Sequence, residues 1–295
     1  MTTTATTTQA TTRTLQVPGA RITFDVRRNA ESTEPILLLI GSPMGAAGFG
    51  SLAAHFADRT IATYDPRGVE RSEKDDPASP STPEDHADDL HRIITALDDG
   101  PVDLFASSGG AVNALALVAR HPEQVRTLVA HEPPLASLLP DREAALAACR
   151  AIHDTYRRRG WGAGMAHFIA IVSHGGPLTD EVAGRPGPDP AQFGLPTDDD
   201  GSRTDPMLSQ NIITCTHFEP DFDALRAAST RIVVAVGAES EGEMANRGAY
   251  AVAVRLGTTP EVFPSNHGGF LGGEYGQTGD PDGFAAKLRQ VLAQA

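Results

Sequence analysis

Cysteine is nearly absent from this chain. Cys149 and Cys215 are two among 295 residues, too few for a disulfide framework. Neither sits in a CxxC spacing, so no structural zinc site is expected and both read as buried thiols in a reducing compartment. Long apolar runs are missing too: no stretch approaches the ~18 uninterrupted apolar residues of a membrane span, which argues against a membrane protein. Positive charge is in deficit, with 24 Lys and Arg against 38 Asp and Glu, a formal charge of −14 and a pI near 5.1. Such a surface repels a phosphate backbone, so nucleic acid is not an expected partner. The opening MTTTATTTQATTRT lacks the apolar core of a secretory signal, and a cytoplasmic location is the expectation. What is present is globular: 40% hydrophobic and 21% charged residues in 31.0 kDa, enough chain to bury roughly three quarters of its unfolded surface.

The pattern of elements divides the chain. Residues 1–13 are threonine-rich and polar and are expected to form a disordered tail. From Leu15 the alternation LQV, Pro18-Gly19, RITFDV predicts an edge hairpin. Ile36 to Ile40 (ILLLI) is too short and too apolar for anything but a strand buried on both faces. Strand and helix patterns then alternate: helix near Phe49–Ala57, strand Thr60–Tyr64, helix Pro83–Leu97, strand Val102–Ala106, helix Gly110–Ala119, strand Val125–His131. That rhythm specifies a mostly parallel sheet flanked by helices, an α/β fold. It breaks between Pro133 and about Ala228, where helical stretches Asp141–Arg159 and Pro206–Phe218 flank a Gly-, Pro- and Asp-rich segment, Ser173–Asp205, that reads as a lid or mobile loop. It resumes with strand Arg231–Val236, helix Glu243–Leu256, strand Glu261–Phe263 and helix Pro281–Gln294. The expected domains are a core of 14–134 and 229–295 with a helical cap, 135–228, inserted after the sixth strand.

One local signal carries chemistry. In Leu104-Phe105-Ala106-Ser107-Ser108-Gly109-Gly110 a serine lies between a buried strand and a helix, and a sharp strand-to-helix turn crowds the positions two residues to either side. Ala106 and Gly110 meet that demand around Ser108, whereas centring the turn on Ser107 places Phe105 in the crowded slot. The competing account is a helix-capping serine beside a glycine turn. A nucleophilic serine also needs an imidazole base held by a carboxylate. His267, in Pro264-Ser265-Asn266-His267-Gly268-Gly269-Phe270, follows the last strand at the carboxyl edge of the sheet, where open α/β folds bind ligands. His131, ending a central strand, is the second candidate, as an orienting or pocket residue. His55, His86, His91 and His121 lie on or beside helices and read as surface or capping residues, and His153, His167, His174 and His217 fall in the cap. Asp65 and Arg67 read as a pair bracing the sheet edge. Asp198-Asp199-Asp200 with Asp205 lack calcium-loop spacing, Gly45–Gly50 lacks the lysine of a phosphate loop, and Trp161, Met165 and Phe168 read as cap core, with pocket lining the lesser alternative.

Taken in order, the strand before Gly41-Ser42-Pro43-Met44-Gly45, the stretch Tyr64-Asp65-Pro66-Arg67-Gly68-Val69-Glu70-Arg71-Ser72, the serine turn and the late histidine resemble the α/β-hydrolase fold from about residue 15 to the end. The second stretch resembles the family's D-x-R-G-x-G-x-S turn with Glu70 in a glycine slot, and Ile40-Gly41 stands where His-Gly is frequent. The resemblance implies an oxyanion hole from the backbone N–H groups of Ser42 and Gly109. It also implies an acid after the strand that follows the cap, but there Ser240 fills the usual aspartate slot and Glu239 and Glu241 are each one residue off. Glu132, before Pro133-Pro134, is the preferred acid, an arrangement similar to resorcylic-acid-lactone hydrolases of the zearalenone type, with Glu239 left open. The resulting expectation is a serine hydrolase using Ser108, His267 and Glu132 on a small to medium apolar ester or lactone, without cofactor or metal. A homodimer stays open. The alternatives are a hydrolase-like small-ligand binder with little turnover and a cofactor-free oxygenase or haloperoxidase-like member of the fold.

Overall fold

The computed structural model describes residues 10–294. Among them nine strands form one sheet: β1 (Thr11–Val17), β2 (Ala20–Arg27), β3 (Leu37–Ile40), β4 (Ile61–Asp65), β5 (Glu73–Lys74), β6 (Val102–Ser107), β7 (Val125–His131), β8 (Arg231–Gly237) and β9 (Glu261–Phe263). The order is β1-β2-β4-β3-β6-β7-β8-β9, with β5 on β2. β1, β2 and β5 pair antiparallel at one side, and every pairing from β4 through β3, β6, β7 and β8 to β9 is parallel. The tail expectation, 1–13, falls mostly on residues outside the described ones, but its end is corrected: Thr11, Thr12 and Arg13 are ladder residues opposite Val26, Asp25 and Phe24. Threonine's branched side chain suits a strand, so a polar composition there concealed an edge strand. The two-residue β5 also makes the strand before the helical insertion the seventh rather than the sixth.

The buried strand β3 shows how the sheet is held. Leu38 and Ile40 face one apolar layer while Leu37 and Leu39 face the other, as period-2 side chains must. The first layer is closed by α2 (Pro83–Leu97), α3 (Gly109–Arg120) and α8 (Met244–Leu256), through residues such as Leu90, Ile94, Leu115 and Val252. The second is closed by α1 (Gly50–Ala54) and α9 (Pro281–Leu292), and it gathers Phe49, Phe105, Phe263, Phe270 and Phe284 into edge-on and stacked contacts with ring centroids 4.7–6.4 Å apart. Burying a side chain of this size stabilises by roughly 1.5–3 kcal/mol, so both faces contribute heavily.

Between β7 and β8 run α4 (Arg142–Val172), α5 (Asp180–Ala183), a π-turn at Met207–Asn211, α6 (Ile212–Thr214) and α7 (Phe222–Ala227). Gly160, at φ 84, interrupts α4 where the sequence pattern ends its first helix at Arg159. Ala145, Cys149, Ile152, Tyr156, Leu208 and Ile212 form a separate apolar cluster, and Trp161, Met165 and Phe168 pack against it. The insertion's two ends do not belong to that cluster: Leu135, Cys215, Phe222 and Leu225 pack into the sheet's first layer. The segment 173–205 is pinned at several points. Leu178 N and Arg247 hold Asp141, Arg247 also donates to Gly176 O, and Trp161 Nε1 donates to Asp205 at 3.1 Å. No helix of the described residues is long and apolar enough to cross a membrane.

Two expectations about charged residues are corrected. Asp65 and Arg67 do not pair: Asp65 accepts from Arg71 Nε at 2.6 Å and from Ala46 N at 2.8 Å, while Arg67 grips Asp89 of α2 with two bonds of 2.8 and 2.7 Å. Arg67 reaches Asp89 because α2 is capped by Thr82 and Asp85 and lays His86, Leu90, Ile93 and Leu97 on one buried stripe. His86 is therefore not a surface residue. It is 3% exposed, its Nδ1 has no partner among the described residues, and burial first, then the Arg67 charge, pushes its imidazole down to about 3. Between about pH 3 and the ordinary 6.5 the unfolded chain binds a proton here that the folded chain refuses, so stability falls as pH drops below 6.5. The expected outcome is that His86→Leu removes up to about 1.4 kcal/mol per pH unit from the slope of unfolding free energy between pH 6 and 4 in urea titrations.

Candidate active site

The carboxyl ends of β6, β7 and β9 converge on one point. Register sets Ser107 beside His131, His131 beside Ala235, and Gly237 beside Phe263, so the residues that follow these strands emerge at one edge of the sheet. Ser108 leaves β6 at φ 57 and ψ −128 and starts α3 immediately, a strained conformation of order 1–3 kcal/mol that aims the side chain away from the sheet. Its N–H is held by His131 O at 2.9 Å. The need for a small residue at Gly110 is steric: a Cβ there would lie 2.8 Å from Gly41 Cα and 3.0 Å from Ile40 O. Ser107, in contrast, is buried and its Oγ meets His131 Nδ1 at 3.1 Å.

Ser108, Gly109, Ser42 and His267 all line one cavity of about 360 Å³. Gly109 opens α3, so its N–H is among the unpaired donors at a positive helix end, and neither it nor Ser42 N donates to a backbone acceptor among the described residues. No direct hydrogen bond joins Ser108 Oγ to His267 among the described residues; what they share is the cavity that both line. The remaining walls are mostly apolar, including Pro43, Pro134, Phe168, Ile169, Val172 and Met207. Of the three spaced residues Trp161, Met165 and Phe168, Phe168 alone reaches this cavity.

Behind His267 stands Glu132, fully buried and itself at φ 47. His267 Nδ1 lies 2.6 Å from Glu132 Oε2. The other oxygen, Oε1, accepts from Gly237 N at 2.9 Å, from Asn246 Nδ2 at 3.2 Å and from Ser240 Oγ. Burial pushes this carboxyl up, but His267, the neighbouring His131 and Ser240 together outweigh it and hold the carboxyl at about 2. Glu239 is exposed, its carboxylate accepts only from Ser265 Oγ at 3.5 Å, and it makes no hydrogen bond or ion pair with His267 among the described residues. His131 is buried, its ring is 5.9 Å from that of His267, and burial holds it down at about 4. It is thus uncharged at neutral pH.

Two contacts were not legible in the chain. Asn211, on the π-turn of the insertion, donates from Nδ2 to Ser42 Oγ at 2.8 Å, with both side chains buried. Its sequence surroundings carry no motif. Ser240 was marked only as a slot lacking an acid, and its hydroxyl instead donates to the Glu132 carboxylate, directly after β7. Among the described residues the acidic run forms no metal-binding cluster either: Asp199 pairs with Arg203, and Asp205 accepts from Trp161 and from Leu208 N.

Known proteins share this architecture. Residues 34–177 match the family described as alpha/beta hydrolase fold. The uncharacterized hydrolase YraK of Bacillus subtilis is 32% identical over 272 residues, covering 87% of this chain and 89% of that one. Among solved structures, a thermophilic esterase from Thermogutta terrifontis superposes with a TM-score of 0.65 at 19% identity, covering 97% of this chain and 98% of its own. The enol-lactonase of Burkholderia xenovorans gives 0.66 at 15% identity, over 95% and 100%. With its parallel sheet, its strained serine turn and a near full-length relative, the chain belongs to the α/β-hydrolase fold family.

Proposed function

We propose that the protein is a serine hydrolase that cleaves a carboxylic ester or lactone of a small to medium, largely apolar molecule through an acyl-enzyme. The observation that carries this reading is the 2.6 Å contact between His267 Nδ1 and the buried Glu132, set in the cavity that Ser108 also lines. In this reading Ser108 Oγ attacks the carbonyl carbon while His267 Nε2 takes its proton and then returns it to the departing alkoxide. Glu132 fixes the imidazole so that Nε2 faces the cavity and stabilises the imidazolium that forms. The backbone N–H groups of Ser42 and Gly109 stabilise the tetrahedral oxyanion, worth ~3 kcal/mol per donor. Water, activated by His267, then attacks the acyl-enzyme and restores Ser108. The esterase and enol-lactonase likenesses and the apolar cavity support an ester-type substrate. The helical insertion serves as a cap over the sheet edge, since α4 and the π-turn supply cavity walls.

Fluorophosphonate labelling tests the nucleophile. The wild type should be modified covalently and Ser108→Ala should not; an inert wild type would favour a ligand-binding role instead. Purified protein offered aryl esters, aliphatic lactones and macrolactones should turn over at least one group.

The acid is tested by ranking. Glu132→Ala should lower kcat by ~10³–10⁴ while Glu239→Ala stays within a few-fold, and the reverse order would move the acid to β8. Because the Glu132 carboxyl is held at about 2, it stays ionised in any ordinary assay.

Asn211 is a positioning residue for the donor at Ser42. Asn211→Ala should reduce kcat roughly ten- to a hundredfold with little change in KM, because a displaced oxyanion donor acts only on the transition state. Steady-state kinetics on the best ester checks the split.

A further inference from the structure

The cavity carries one unpaired charge. Glu243, the residue that precedes α8, lines it, and among the described residues no lysine or arginine lines it with Glu243. The natural structural role for a carboxylate at this position is to cap its helix, yet the Glu243 side chain makes no cap hydrogen bond and has no ion-pair partner among the described residues. The nearest arginine in sequence, Arg247, is committed to Asp141. Glu132, the other carboxylate nearby, is buried behind His267 and is not part of the lining. A half-buried carboxylate with no partner is costly unless something else supplies one. Burial raises the Glu243 carboxyl, His267 opposes that, and Glu132 adds to it.

From this geometry, and resting on the ester-hydrolase reading above, we infer that Glu243 is a specificity-determining residue that selects substrates bearing a positively charged amine and rejects those bearing a carboxylate. A cation entering the cavity supplies the missing partner. Several kinds of wall suit a methylated ammonium in particular, which is charged but weakly hydrated: Phe168 contributes an aromatic side chain, Met207 and Met244 polarizable thioethers, and Ile212 plain hydrocarbon. The net charge of −14 acts in the same direction at longer range, drawing cations toward the molecule and repelling anions.

The test uses esters matched in shape. Butyrylcholine and 3,3-dimethylbutyl butyrate differ in a charged nitrogen against a neutral carbon, and 4-butyryloxybutanoate supplies the opposite charge. Wild type should give kcat/KM in the order cationic, neutral, anionic. Glu243→Gln should lower the cationic-to-neutral ratio about tenfold, chiefly through KM, while leaving the neutral ester within about threefold. A wild type that treats the cationic and neutral esters alike, or a ratio unchanged in Glu243→Gln, overturns the assignment. Hydrolysis of the neutral ester reports separately on the hydrolase reading. Should no ester turn over, butyrylcholine binding by calorimetry to Ser108→Ala and to Ser108→Ala/Glu243→Gln decides the same question: at least tenfold weaker binding in the double variant supports the role of Glu243, and equal binding removes it.

Discussion

A buried carboxylate, Glu132, sets the geometry of the whole site. Removing it from water is expensive, and the cost is met by donors drawn from separate parts of the chain: a backbone N–H at the end of β8, a hydroxyl in the loop after it, an amide on α8 and an imidazole from the loop after β9. Each donor is in place only when β7, β8 and β9 are in register. The carboxylate therefore does two things: it ties the loops at one sheet edge together, and it presents the imidazole to the cavity. Loss of the carboxylate leaves these donors unsatisfied in a dry interior, so site geometry and local stability are coupled through the same atoms.

Strain is concentrated at the same edge. Ser108 and Glu132, the residues directly after β6 and β7, both occupy positive φ, where a side chain pays in steric contact for pointing out of the sheet. Glu70, in the turn after β4, does so as well, in the position where the resembling turn carries glycine, and its carboxylate accepts from Tyr275 Oη at 3.0 Å. The sheet tolerates this because its interior is filled on both faces and its central strands are tied to their surroundings by buried ion pairs such as Arg67 with Asp89 and Arg59 with Asp103. A rigid scaffold holding a few strained residues is what positions reacting groups to within a fraction of an ångström.

The insertion belongs to the site as much as the sheet does. Its π-turn reaches across to Ser42 through Asn211, and α4 lines the cavity through Phe168, Ile169 and Val172. Its own cluster is apolar and self-contained, yet it is rooted in the sheet's core at Leu135, Cys215, Phe222 and Leu225.

The amino-acid order alone determined the alternating strands and helices, because period-2 and period-3.6 apolar patterns are local and strong. It also marked Ser108, through the small residues the turn demands, and His267, through its place after the last strand. Residue identity was less informative wherever the partner lies far along the chain. Asp65 and Arg67 stand two apart and look like a pair, but a turn sends them to Arg71 and Asp89. His86 reads as a surface or capping residue, but it is buried on α2 beside the Arg67 charge. The choice between Glu132 and Glu239 as partner of His267, the link from Asn211 to Ser42, and the conversion of Ser240 from an absent acid into a donor all depend on three-dimensional proximity across up to 169 positions. Local sequence sets which conformations a segment can adopt. Only packing sets which distant polar atoms must satisfy one another once water has been excluded.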